Sequence, residues 1–159
     1  MTPALPLSPL QLQKYGFTTV RVEAIKDGSA TAEPCLKPTI WFEPLPEKAD
    51  HWQLFLTLIL TSSDPANRFA YEVEIKLQGL VQVNEGFPPA KKEQLALVNG
   101  FSILYSAARE MLLNITSRSP KGAVALPTVS FVKLVDEALK QKAEAEKPTP
   151  APQSESAQS

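Results

Sequence analysis

Residues 69–83, FAYEVEIKLQGLVQV, set the terms for any fold this chain can adopt. Phe69, Tyr71, Val73, Ile75 and Leu77 alternate with Ala70, Glu72, Glu74, Lys76 and Gln78, and Val81 and Val83 extend the series. Successive side chains on a strand point to opposite faces, so this segment offers one face to a core and one to water. Such a strand needs an apolar layer against it, and residues 95–115 supply one. Leu95, Val98, Phe101, Leu104, Ala108, Met111, Leu112 and Ile115 recur at spacings of three and four, the signature of a helix. The change of period within one short chain predicts an α+β fold.

Three further strands are expected before the helix. Residues 11–25 mix Tyr, Phe, Thr and Val, with Gly16 able to host a bulge, and DGSA at 27–30 reads as a turn. TIWFE at 39–43, held between Pro38 and Pro44, predicts a short peripheral strand. Residues 51–62 place Trp52, Leu54, Leu56, Leu58 and Leu60 on one face, and SSDPANR then reads as a hairpin connection. Gly79 is a second bulge candidate. Four successive strands in meander order predict an antiparallel sheet.

Pro88 and Pro89 precede the long helix, and Ser119-Pro120 closes it. A shorter C-terminal helix is expected at 131–146, with Ser130 as its N-cap and Phe131, Leu134, Val135, Ala138 and Leu139 as its stripe. The domain expectation is a disordered N-terminus at 1–8, a folded unit at 9–141, and a helix end with a disordered Pro/Ser-rich tail at 142–159.

The long helix is too apolar for a single packing face. Ile103, Tyr105, Ala107 and Leu113 widen the stripe beyond the roughly 100° arc that one sheet covers. Phe55 and Ile59 do the same on the wet face of the third strand. Each such side chain left in water forgoes roughly 1.5–3 kcal/mol. Contiguous patches of this kind mark association or ligand sites, and self-association is the expectation here.

Composition narrows the chemistry. The 159 residues carry a formal net charge of −1, which gives no basic face for nucleic acid. Cys35 is the only cysteine, so neither an intrachain disulfide nor a Cys-based zinc site is expected. The start MTPALPLSPL has no signal-peptide pattern, and WQLFLTLIL falls short of the ~20 residues of a membrane helix. A cytoplasmic protein without membrane insertion is expected. His51 has no nucleophile at triad spacing, the glycines form no phosphate loop, and Arg109 and Glu110 point about 100° apart on the helix. No catalytic residue, no metal site and no cofactor are expected; the reading is non-enzymatic.

The Val-Asn-Gly lead-in at 98–100, ILYSAARE, LLNITSR and then LPTVSF resemble the SecB family of protein-export chaperones, and QLQKYGFTTVRVEA resembles its opening strand. The likeness spans about residues 9–141. It implies a SecB-like α+β fold, a four-stranded antiparallel sheet followed by a long helix and a shorter C-terminal helix. It also implies a homotetramer, a dimer of dimers with the long helices between two eight-stranded sheets. The implied function is ATP-independent holding of unfolded preproteins for the SecA motor, in hydrophobic grooves. On that likeness Trp41, Phe42, Tyr105, Leu126, Val129 and Phe131 are candidates for the client groove. Phe101, Leu104, Ala108 and Met111 would face the core or a partner's equivalent helix, and are the oligomer-interface candidates. Glu23, Glu72 and Glu74 are candidates for docking SecA. Thr19 stands where the family carries an acidic residue, and Ser106-Ala107 replaces its Pro-Tyr.

Two other readings compete. One is a SecB-like chaperone dedicated to one client, such as the antitoxin of a toxin–antitoxin system. The other is a small-molecule-binding or enzymatic α+β protein that oligomerises for stability, which would need a pocket with convergent polar groups.

Overall fold

The computed structural model describes residues 4–147. Four strands come first: β1 (Leu10–Ala24), β2 (Pro34–Pro44), β3 (His51–Ser62) and β4 (Tyr71–Val83). Two helices follow, α1 (Pro89–Thr116) and α2 (Val132–Ala145). The result is α+β, with both helices after the sheet. Residues 4–8 carry no regular structure, and the tail expected to be disordered beyond 147 lies outside the described residues.

All strand pairs are antiparallel, but the order is β1-β4-β3-β2 and not a simple meander. The reason lies in proline. β2, β3 and β4 follow one another as expected, but β2 contains Pro34, Pro38 and Pro44, which suit only an edge. With β2 holding one edge, the flank open to β1 is the far side of β4. The crossing segment is tied down by Ile25 N donating to Ala70 O (2.8 Å), Ser29 N to Arg68 O (2.9 Å) and Ser63 N to Glu33 O (3.0 Å). β2 is also longer than the expected 39–43, because an edge strand tolerates Pro38 within it.

The bulges fall elsewhere than expected. Register shifts lie between Leu12 and Lys14 and between Phe17 and Thr19, so Gln13 and Thr18 are the extra residues, neither at Gly16 nor opposite Gly79. Gly79 serves packing instead. A Cβ there would lie 2.9 Å from Leu104 Cδ2, and one on Gly100 would collide with Leu54 Cδ1. The two glycines let α1 settle against the sheet. Between them Leu54, Leu56, Leu58, Leu60, Val73, Ile75, Leu77 and Val81 bury the sheet's inner face under Leu97, Phe101, Leu104, Ala108 and Leu112.

Pro89 opens α1, where a missing N–H costs nothing. Ser130 does not cap α2: Phe131 occupies that position and no side-chain cap bond forms. Phe131 is instead held by packing, stacked on Phe101 at 6.0 Å and edge-on to Tyr105 at 5.7 Å. The irregular crossover between the helices is bonded along its length. Tyr71 donates its hydroxyl to Gly122 O, Tyr105 donates to Pro127 O (2.6 Å), and Val124 N donates to Thr116 Oγ1 (2.8 Å).

Candidate functional site

An apolar trough of about 540 Å³ runs between the end of β2 and one face of α2. Ile40 through Pro44 form its floor and near wall, and Ala138, Gln141, Lys142, Ala145 and Glu146 form the other. Helical spacing puts those α2 residues on one side, and alternation on β2 turns Ile40 and Phe42 toward the core. Lys142 spans the trough's base. Its Nζ sits 5.3 Å above the Phe42 ring and 3.3 Å from Glu93 Oε1. Trp41 stands on the opposite face of β2, beside Phe55 in the register, and is 66% exposed. Thus a large aromatic side chain in water borders an open apolar cavity.

The free edge of β2 has a chemistry of its own. Glu33 O accepts from Ser63 N, and Leu45 N donates to His51 O, both at 3.0 Å, at either end of an unbroken β2–β3 register. Hydrogen-bonded and non-bonded pairs alternate in an antiparallel ladder. Odd-numbered residues of β2 therefore spend their backbone groups on β3, and even-numbered residues turn theirs outward. The outward set is Pro34, Leu36, Pro38, Ile40, Phe42 and Pro44. Half of it has no N–H to offer.

The candidate groove residues do not share one surface. Trp41 and Phe42 line the trough, though Phe42 is itself largely buried, and Val129 is half-buried on the crossover. Tyr105, Leu126 and Phe131 are 4%, 3% and 1% exposed, so in the single chain they belong to the core and not to an open groove. Apolar residues on a crossover read alike whether they line a groove or plug a core. Burial also pushes the Tyr105 hydroxyl above its ordinary 10.0, against the opposing pull of the Arg109 charge.

For the oligomer candidates the expectation allows either the core or a partner's equivalent helix. Phe101, Leu104 and Ala108 are completely buried against their own sheet, so they face the core and not a partner; Met111 is only partly covered. The surplus apolar surface of α1 lies elsewhere, with Ile103 at 40% and Ile115 at 38% exposure. A second hollow, of about 270 Å³, gathers Phe87, Leu95 and Val98 with the exposed Val132. Sequence reasoning missed Val132 and the α2 wall of the trough. The alternation of Ala138, Gln141, Lys142 and Ala145 at spacings of three and one was the available signal.

The three acidic candidates do come together. Glu23 lies opposite Glu72, two register positions along from Arg21 opposite Glu74 and on the same face. Each carboxylate has a basic neighbour: Arg21 for Glu23 (3.7 Å), Arg68 for Glu72 (3.2 Å) and Lys76 for Glu74 (3.7 Å). The patch is mixed in sign. Among the described residues no group of three or more His, Cys, Asp or Glu is placed to hold a metal ion, and no helix is long and apolar enough to cross a membrane.

A four-stranded antiparallel sheet in this order, followed by a long and a short helix, is the SecB-like fold. The Mycobacterium tuberculosis Rv1957 SecB-like chaperone, in complex with a ChAD peptide from the Rv1956 HigA1 antitoxin, superposes with a TM-score of 0.59 at 14% identity. The match covers 76% of this chain and 91% of that one. A protein of unknown function from Streptococcus agalactiae, also 14% identical, covers 75% of this chain and 97% of its own, with a TM-score of 0.42 too low to bear on the fold. No family model matches the sequence, and no curated protein matches it at a significant level.

Proposed function

We propose that this chain is a divergent SecB-like chaperone, an ATP-independent holdase that captures extended apolar segments of non-native polypeptides. The observation that carries the reading is the trough between β2 and α2, open, apolar and bordered by the exposed Trp41. Hydrophobic capture is non-directional and needs no reactive group, which suits a cavity lined this way. The working form is a homotetramer, a dimer of dimers. Proline on the β2 edge argues that the eight-stranded sheets are joined through β1. The exposed apolar residues of α1 and Val132 then meet their counterparts between dimers.

The client is better read as a dedicated one, such as an antitoxin, than as a broad set of preproteins delivered to SecA. Two observations favour this. The acidic candidates Glu23, Glu72 and Glu74 are each compensated by a cation, leaving little net charge to attract a basic tail. The solved structure with the same fold holds an antitoxin peptide.

The test is suppression of aggregation of a denatured client without nucleotide, alongside mass measurement by light scattering. A tetramer that protects the client is expected. A stable monomer that protects nothing overturns the proposal. A pull-down from cells then separates the client classes: one dominant partner is expected, and SecA with many preproteins would reverse the preference.

A further inference from the structure

The backbone of β2 carries more information than its side chains. Its outward donors at Ile40 and Phe42 are consecutive, while the positions on either side, Pro38 and Pro44, have none. Beyond Pro38 lies Leu36, isolated from the pair by that proline and closed off on its other side by Pro34. Among the described residues these two donors have no partner, and with their carbonyls they open beside the trough, whose floor is built from these same residues.

We infer that the β2 edge is a bounded strand acceptor. One extended client segment pairs its backbone with Ile40 and Phe42, and the prolines at 38 and 44 stop the pairing from spreading. An added strand lies about 4.8 Å from its neighbour, on the side where α2 leaves space. Each of the two residues exchanges an N–H and a C=O with the client, as in other edge-addition modes of recognition. Because alternate side chains of the client point to opposite faces, one set enters the trough and the other stays in water. The preferred client segment is therefore short, about five residues, apolar at alternate positions and free of proline where it pairs.

The blocked donors also explain how such an edge is safe. A long open edge invites pairing between copies and leads to aggregation. Removing N–H groups at outward positions leaves the ladder to β3 intact, since every one of the three prolines sits where its nitrogen faces away from β3. The client window is what remains.

The inference rests on the chaperone reading, and backbone chemistry separates the two. A fluorescein-labelled heptapeptide, Lys-Val-Thr-Leu-Thr-Val-Lys, is titrated with the full chain and followed by anisotropy. Two variants carry N-methyl groups, one on both threonines and one on the three apolar residues. One variant should lose at least tenfold in affinity while the other stays within about twofold of the parent. A register slip cannot rescue the losing set, because it would turn the apolar side chains out of the trough. Equal losses, or none, overturn edge pairing and leave the chaperone reading standing. If the parent peptide does not bind while a denatured client is still protected, edge pairing again falls alone. If neither peptide nor denatured client is held, both readings fall.

A second variant tests the stop. Pro38→Val restores a donor and joins Leu36 to the window. An eleven-residue peptide of the same alternation, long enough to reach Leu36, should then bind roughly threefold to tenfold tighter than it binds the parent chain, and the heptapeptide, which reaches only position 38, should gain less. No gain for the longer peptide overturns the role given to Pro38.

Discussion

The two edges of the sheet solve one problem in different ways. β1 is the longer strand, has no proline between Leu10 and Ala24, and interrupts its ladder with bulges at Gln13 and Thr18. β2 keeps an unbroken register and instead lacks donors on its outer side. A bulge changes the shape of an edge and leaves its hydrogen-bonding capacity; a proline removes capacity and leaves the shape. The first edge remains able to pair over a long run, as an assembly seam requires. The second can accept only a brief partner.

The largest effect should come from moving the β2 device to β1. Ile25 N donates to Ala70 O, so odd positions near the end of β1 bond β4 and Val20 faces outward. Val20→Pro should leave the monomer folded and weaken assembly roughly a hundredfold or more, since a two-fold seam repeats each loss. Light scattering over a dilution series would show it. A variant that stays tetrameric removes β1 from the seam and breaks the contrast.

Next comes the aromatic beside the trough. Trp41→Ser should lower client affinity about thirtyfold, the usual scale for an aromatic anchor, with assembly intact. If the tetramer is lost with it, Trp41 belongs to an interface and the β2 edge is not the client's. A smaller change probes parity directly. Thr39 N–H points to β3, so Thr39→Pro should cost roughly 1–3 kcal/mol by orphaning a ladder acceptor, read as a lowered denaturation midpoint. Ile40→Pro turns its nitrogen outward and should leave that bond in place. Equal losses beyond what the Ile side chain contributes would show the assigned alternation to be wrong.

The smallest effect concerns the core that both edges share. Burial holds the Tyr105 hydroxyl protonated beyond its ordinary 10.0, so the unfolded chain ionises first as pH rises. Between 10.0 and the folded value the native state binds more protons, and stability falls with pH through that window only. Tyr105→Phe should abolish this fall while losing the bond to Pro127, and pH-dependent melting would separate the two effects.

The strands at the centre were readable from the sequence because their alternation is strict: β3 matches its expected span, and every odd residue of β4 that carries a side chain faces inward. The place of β1 was not readable. Strand order is settled by which neighbour remains free once other strands have paired, and no local pattern records that. Pro38 misled for a related reason. It reads as a boundary in isolation, yet an edge strand has one side where a missing N–H is harmless. At the site, Trp41 was legible as an exposed aromatic between prolines. Tyr105, Leu126 and Phe131 were not separable from core residues, since apolarity alone does not say which surface a side chain meets. Phe101, Leu104 and Ala108 show the same ambiguity on α1, where helical periodicity found the buried stripe but not its partner.

The ion pair between Lys92 Nζ and Asp50 Oδ2, 2.8 Å long with side chains 11% and 23% exposed, fastens the tip of the β2–β3 hairpin to the first turn of α1. Asp50 sits there in a left-handed conformation, and its carbonyl also receives Val83 N at 2.9 Å. The β2 wall of the trough is thereby held at the tip of its hairpin by two contacts to Asp50. The opposite wall, α2, is anchored at its start by the buried Phe131 and Val135, then by Gln94 Nε2 donating to Asp136 Oδ1 (3.4 Å), and near its far end by the Lys142–Glu93 pair. Three consecutive residues of α1, Lys92, Glu93 and Gln94, thus tie down both walls of the trough at once.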